Sequence, residues 1–467
     1  MVRAGRLTII GLLCASYAFF CLSTRPAEPI SAPDSQVYLS VAPIVPLGYP
    51  VFLKVAGTEG ALILQPVIFS AALAFIGSET LLTTFSVLLS IGIVAGSMLV
   101  PGLATYHASI LTESLFMSGL VAFLAAVIRF VRVPSSGSAA LAATIAGLLA
   151  TLRATGYATL PVLMVMVGLE RRRLAGRTAA VLLAAALPML ALSAGERVAA
   201  RVVHGDRLSS LMGRHLFAKA GLIEAEPPVQ PSRDPLRARL EEHLSVAYGP
   251  VRSFIARAPR DLRGVLTLYY EGCLQGPCVP ELGWSTPGSE DRALNDELVQ
   301  VGVERIARAP LTFAKLTATE YTSLWTAYKQ RHPETGPALS ALIAANRPLP
   351  FEREAFKLAP QDTLEFRPYE PVRFIQPAVT AIGWLTGGLA LFGLAALVTK
   401  RDLPPSLAIA CLSALAAHGG LLLSALFAAG IARFIVSLWP AVMTAVLFAA
   451  WSTWNSRSPD SGQASEL

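Results

Sequence analysis

Residues 33–50 read Pro33-Asp34-Ser35-Gln36-Val37-Tyr38-Leu39-Ser40 and run on to Leu47-Gly48-Tyr49-Pro50, a short polar stretch wedged between two long apolar ones. The apolar flanks decide the fold class. A bilayer span needs about 20 apolar residues, and the blocks on either side approach that length. The whole chain shares the character, with 54% hydrophobic and only 15% charged residues among 467 and a mean hydropathy of +0.55. The sequence is that of an integral membrane protein, all-α, because a polypeptide in hydrocarbon must satisfy its own backbone hydrogen bonds.

Working outward, the basic start with Arg3 and Arg6 precedes an apolar run over 7–23, read as a retained first span with its N-terminus inside. Beyond residue 50, spans are expected near 61–77 and 81–100, joined by Gly77-Ser78-Glu79, and then near 109–128, ending in Arg129-Phe130-Val131-Arg132. Residues 139–169 hold two short apolar runs on either side of Arg153-Ala154-Thr155-Gly156, read as two short helices, up and back. Further spans fall at 178–194, 374–398, 405–427 and 433–454, about ten in all. Basic clusters such as Glu170 to Arg173 and Lys400-Arg401 fall at alternate ends, as the positive-inside rule requires.

Four segments follow: an N-terminal membrane module, 1–194; a charged, Pro-rich and weakly amphipathic region, 195–372, expected to be helical and extracytoplasmic; C-terminal membrane helices, 373–454; and a polar tail, 455–467, expected to be disordered. The net charge of +7 is spread over short loops, a pattern of topology signals and membrane-lipid contacts that gives no support to a nucleic-acid partner. Cys14, Cys21 and Cys411 lie in apolar spans as small hydrophobes, whereas Cys273 and Cys278 bracket four residues of a polar region and are close enough in sequence to pair.

Ionisable groups near the membrane are costly and face a protein interior or a wet cavity. Asp34, His107, Glu113, Arg153 and Arg433 all fall at or near outer span ends. Asp34 reads in two ways: as the cap of a short helix beginning at Ser35, and as a general base at the surface where a lipid-borne substrate presents its head group. Glu113 suits a helix N-terminus as well as a site. His107 reads as a loop or interface histidine, or as a site residue. Arg153 and Arg433 suit a phosphate, which a guanidinium can grip through two oxygens; the structural alternatives are snorkelling, or pairing with an acid such as Glu113. No metalloprotease, Cys-x-x-Cys or phosphate-loop motif occurs.

The order of a first span, an outer loop with Asp34-Ser35 and Tyr38, Leu111-Thr112-Glu113-Ser114-Leu115-Phe116, Leu152-Arg153-Ala154-Thr155-Gly156 and Ala432-Arg433-Phe434-Ile435-Val436-Ser437-Leu438-Trp439-Pro440 resembles the membrane glycosyltransferases of the C superfamily. Within it the chain is most similar to the bacterial protein-mannosyltransferase-like and aminoarabinose-transferase-like branch. The resemblance covers roughly 1–200 and 374–454. It implies a bacterial inner-membrane enzyme that moves a sugar from a polyprenyl-phosphate carrier to a lipid, polysaccharide or protein acceptor outside the cytoplasm, with inversion. Asp34 would be the catalytic acid or base, with Tyr38, His107, Glu113, Arg153 and Arg433 binding substrate. Relatives often carry a second acid where this chain has Ser35, so no metal or other cofactor is expected. A transporter or flippase for an anionic or lipid-linked substrate, and an envelope assembly protein, are the alternatives; no matched halves of the transporter kind are visible.

Overall fold

A computed structural model describes residues 2–31, 34–99, 103–205, 212–225, 234–246, 292–326, 372–427 and 433–457, together with 248, 249, 252, 253 and 256. Apart from one isolated bridge, the described residues are helical or irregular. The helices are α1 Val2–Ser23, α2 Ser35–Leu39, α3 Gly48–Thr84, α4 Val87–Met98, α5 Leu103–Ala108, α6 Glu113–Arg132, α7 Ser136–Leu152, α8 Thr159–Leu169 and α9 Thr178–His204. They continue as α10 Met212–Leu222, α11 Pro235–Val246, α12 Arg292–Arg308, α13 Pro310–Thr326, α14 Val372–Val398, α15 Pro405–Phe427 and α16 Arg433–Arg457.

Seven of these helices (α1, α3, α6, α9, α14, α15 and α16) are long and apolar enough to cross a membrane, and three shorter apolar stretches are Val87–Met98, Ser136–Leu152 and Ala154–Leu169. The chain is therefore an all-α, multi-pass membrane protein. The largest departure from the sequence reading is α3. It starts at Gly48, not near 61, and covers 37 residues in two pieces that meet at Gly57, the second of which passes through Gly77-Ser78-Glu79 without a break. Gly57, at φ 71° and ψ 166°, interrupts it and sets a first segment at an angle to the rest. The turn lies instead at Phe85, with φ 55°, and Ser86, whose hydroxyl accepts from Leu89 N and caps α4.

Glu79 stays inside the helix because it has partners. Arg132 Nη2 lies 2.6 Å from its Oε2 and Arg129 Nη1 3.5 Å from its Oε1, so the carboxylate ties the end of α3 to the end of α6. Around this pair gather the other basic segments. Arg6 Nη1 donates to Phe85 O at 3.2 Å, Arg173 donates to Val131 O and Arg132 O, and Arg172 pairs with Asp402 of the α14–α15 loop. One end of the bundle is thus basic, and each spanning helix runs toward it or away from it.

Inside the bundle, α3 packs on α1 and α6, α7 on α6 and α9, and α15 on α14 and α16. Small residues bring these helices close. A Cβ on Gly119 of α6 would lie 2.7 Å from Leu149 Cδ2 of α7, and one on Gly77 of α3 would lie 2.8 Å from Ile10 Cγ2 of α1. Cys14, Cys21 and Cys411 are buried free thiols, as their apolar surroundings imply. Cys273 and Cys278 lie outside the described residues, as do 458–467.

At the end opposite the basic loops, α9 runs beyond residue 194 to His204, and α10 to α13 pack together beyond it. Arg305 of α12, 1% exposed, donates to Ala220 O at 2.9 Å. Lys219 of α10 pairs with Glu320 of α13, Arg308 of α12 lies 3.0 Å from Glu241 of α11, and Arg237 pairs with Glu304. These charges join helices that also bury Phe217, Leu240, Leu244, Leu298 and Val301. The described part of 195–372 is thus helical.

Candidate functional site

The end of the bundle away from the basic loops collects the polar residues singled out in the sequence, and short backbone links hold its loops together. Ile30 N donates to Ala108 O at 2.8 Å and Ile110 N donates to Ile30 O at 3.1 Å, a parallel bridge that stitches the first loop to the segment between α5 and α6. Gln65 of α3, fully buried, donates through Nε2 to His107 O at 3.0 Å and Ser109 O at 3.1 Å. Carbonyls that would otherwise be stranded at the turn are satisfied by one amide.

Asp34 is the residue before α2 and is partly buried. The expected side-chain cap is not made. Instead the Asp34 carbonyl accepts from Val37 N at 3.1 Å and Tyr38 N at 3.4 Å, because Asp34 already has helical φ and ψ, −74° and −14°, and a capping side chain needs a more extended backbone. Ser35 is fully buried and donates to Ile110 O at 2.9 Å. It fixes α2 against the segment leading into Glu113. One turn on, the Tyr38 ring meets Tyr49 edge-on, with centroids 5.2 Å apart at 83°.

Arg153 sits where α7 ends, in extended backbone at φ −152° and ψ 144°. A 3-10 turn, Ala154–Ala158, follows directly. Gly156 makes the turn possible, since a Cβ there would lie 2.4 Å from Leu149 C and 2.5 Å from Ala150 N. The extended residue swings its side chain toward α6, where Nη1 lies 2.7 Å from Glu113 Oε1, with the two side chains 13% and 2% exposed. The guanidinium also lies over the Phe116 ring, 5.8 Å from its centroid. Of the readings open for Arg153 and Glu113, the structure realises the ion pair.

The two halves of the site share one apolar cluster. Tyr49, Leu53, Ala61, Ile110 and Leu115 are its buried members, and Tyr38 and Leu152 pack against it. Tyr38 is one turn from Asp34 and Leu152 adjoins Arg153, so the acid-bearing helix and the arginine turn are anchored on the same side chains. Two contacts that sequence reading missed hold α3 in place here. Leu47 N donates to Glu196 Oε1 of α9 at 3.0 Å, placing a carboxylate at the N-terminus of α3, where the helix dipole favours it. A Cβ on Gly48 would lie 2.6 Å from Thr151 O, so α3 starts hard against the end of α7. In sequence, Glu196 was visible only as an acid just past an apolar span.

His107 is inside the protein, 2% exposed. Its Nδ1 lies 2.7 Å from Ser114 Oγ and its Nε2 3.1 Å from Tyr17 OH, so the ring joins α1, α5 and α6, and both nitrogens have protein partners. Arg433 opens α16, but its side chain lies outside the described residues. Among the described residues, no three His, Cys, Asp or Glu side chains are grouped as a metal site.

A second polar cluster joins α13, α14 and α15. His418 of α15 is hydrogen-bonded to Tyr321 of α13 through Nδ1 and lies 2.8 Å from Thr386 Oγ1 of α14 through Nε2. The Trp325 ring stacks on it at 5.2 Å and 28°. The next residue, Gly419, faces Ala158 of the turn that begins at Arg153; a Cβ on it would lie 3.6 Å from Ala158 Cβ. Comparison with protein-family models, with curated proteins and with solved structures gave no match.

Proposed function

We propose that this chain is a membrane glycosyltransferase that moves a sugar from a polyprenyl-phosphate carrier to a hydroxyl acceptor on a lipid, polysaccharide or protein. The observation that carries the reading is a nearly buried arginine–glutamate pair, Arg153 and Glu113, anchored on the same side chains as the short helix that follows Asp34. An acid and a guanidinium at one end of an apolar bundle suit a reaction whose nucleophile loses a proton and whose leaving group is a phosphate.

In this reading the Asp34 carboxylate takes the proton of the acceptor hydroxyl. The hydroxyl oxygen bonds to the anomeric carbon as the bond from that carbon to the phosphate oxygen breaks, with inversion. The electron pair leaves on the carrier phosphate, and Arg153 stabilises the charge that develops there. Glu113 sets the direction of the guanidinium, and Phe116 supports its plane. Tyr38 packs α2 against Tyr49 and so holds Asp34 in place. Arg433, at the start of α16, would add a second cation for the phosphate.

The positive-inside rule puts the basic end in the cytoplasm and the Asp34 end, with α10 to α13, outside it. With the three shorter helices counted as spans, ten crossings leave both termini on the basic side. For a bacterial chain this means the inner membrane.

The experiment is transfer of radiolabelled sugar from polyprenyl phosphate to membrane extracts by the purified protein in lipid, with Asp34→Asn alongside. Label moved by the wild type and not by the variant is the expected result. A carrier that fails to bind, or label translocated without transfer, would favour a transporter or flippase.

A further inference from the structure

We propose that the loops 170–177 and 399–404, at the basic end of the bundle, bind the headgroup phosphate of an anionic phospholipid. The inference stands apart from the transferase reading and needs no assignment of sidedness. The two loops form one surface, because Arg172 pairs with Asp402 across them and a Cβ on Gly168 at the end of α8 would lie 2.4 Å from Leu397 Cδ1 near the end of α14. Six cations, Arg171, Arg172, Arg173, Arg177, Lys400 and Arg401, stand there against two acids, Glu170 and Asp402.

Both acids are already engaged. Glu170 lies 2.8 Å from Arg173, and Arg173 also donates to two backbone carbonyls of α6. Asp402 holds Arg172. Arg171 donates to Gly168 O at 2.9 Å. The charges of Arg171, Arg177, Lys400 and Arg401 have no acid partner among the described residues, and Arg177, Lys400 and Arg401 are exposed. Like charges gathered at this density call for a counter-anion.

The surroundings say which anion. Exposed apolar residues flank the basic rim, Leu391 at 69% and Val398 at 79% on α14, and Leu183 at 59% and Leu187 at 57% on α9. Between these helices lies α8, which packs against both. Arg401 lies over the Phe392 ring, 5.9 Å from its centroid, so its planar cation sits at the upper edge of the apolar wall. Cations above a lipid-facing apolar surface match a phosphate that carries acyl chains; a soluble anion would gain nothing from the wall. Each basic residue near an anionic leaflet strengthens binding about fivefold.

The test uses the full chain in neutral detergent. Thermal unfolding and lipid retention in native mass spectrometry are measured with phosphatidylglycerol and with phosphatidylcholine, for the wild type and for a variant carrying Arg177→Gln, Lys400→Gln and Arg401→Gln. Phosphatidylglycerol is expected to raise the midpoint and remain bound, phosphatidylcholine not, and the triple variant is expected to weaken retention about 100-fold while unfolding normally in phosphatidylcholine. Should the triple variant not fold, Arg177→Gln and Lys400→Gln singly are each expected to lower retention about fivefold. Equal response to both lipids, an unchanged preference in variants that fold, or the same stabilisation by soluble glycerol phosphate would overturn the proposal.

Discussion

Arg153 and Glu113 are 40 residues apart in sequence and 2.7 Å apart in space, with both side chains withdrawn from solvent. Breaking a buried pair by removing one partner leaves a stranded charge and costs about 3–5 kcal/mol. Glu113→Gln and Arg153→Gln are therefore both expected to lower the unfolding midpoint strongly. The double change to Met at both positions removes the stranded charge and should recover much of that loss. In the transferase reading the double variant remains inactive, since the phosphate has lost its cation. Full transfer by a stable double variant would reduce the pair to a structural element.

Asp34 separates from that pair experimentally. Asp34→Asn keeps the size of the side chain and removes its charge, so it is expected to change stability by no more than about 1 kcal/mol. Loss of a general base should lower transfer about 10²- to 10⁴-fold. A variant that loses stability and activity together would point to a scaffold role instead.

Gly156 tests whether the placement of Arg153 matters beyond its charge. A methyl group would press on backbone atoms of Leu149 and Ala150, at 2.4 and 2.5 Å, which cannot rotate away as a side chain can. Gly156→Ala is expected to cost about 1–3 kcal/mol and to lower transfer further than that loss of folded protein explains, because the turn that aims Arg153 must open. Activity that tracks the folded fraction alone would count against a positioning role.

Much of this was legible in the sequence, and the part that was not has a physical reason. Length, hydropathy and basic loops are local properties, and they sufficed for a multi-pass helical protein, as did two short apolar runs for the helices on either side of Arg153. The Gly77-Ser78-Glu79 triplet looked like a turn because nothing in its neighbourhood shows that Arg132 waits across the interface with α6. The same blindness hid Glu196, whose partner is a backbone amide 149 residues away, and His418, whose partners come from α13 and α14. The Arg153–Glu113 pair was open as one alternative because each residue interrupts an apolar pattern, but choosing it required the fold.

Outside the membrane helices, Arg237 holds the Glu304 carboxyl below the ordinary glutamate value, chiefly through their hydrogen bond. A carboxyl with a depressed folded pKa adds stability above its unfolded pKa, near 4.3, and loses it as pH falls through the lower folded value. Glu304 is 43% exposed on its side chain, so the contribution is no more than about 1 kcal/mol. Acid unfolding of the wild type below about pH 4 should be shallower in Glu304→Gln, and Arg237→Gln should reproduce that effect. Identical acid profiles in all three proteins would show that the pair does not hold α11 to α12.

The joint at His418 predicts how the α10 to α13 region is seated. Tyr321 and Trp325 of α13 grip His418 from one side and Thr386 of α14 from the other, while Gly383 leaves room for the indole, since a Cβ there would come within 2.6 Å of it. Tyr321→Phe removes one hydrogen bond and is expected to cost about 1 kcal/mol. Gly383→Leu cannot coexist with the stacked ring and must push α13 off α14. Its tryptophan emission should shift in a way that a Trp325→Phe background abolishes, and protease cleavage within 310–326 should quicken while the membrane helices stay protected. Because Gly419 faces Ala158, the displacement should reach the Arg153 turn and lower transfer in the same variant. Unchanged emission and unchanged cleavage in Gly383→Leu would show that α13 is not docked through this joint.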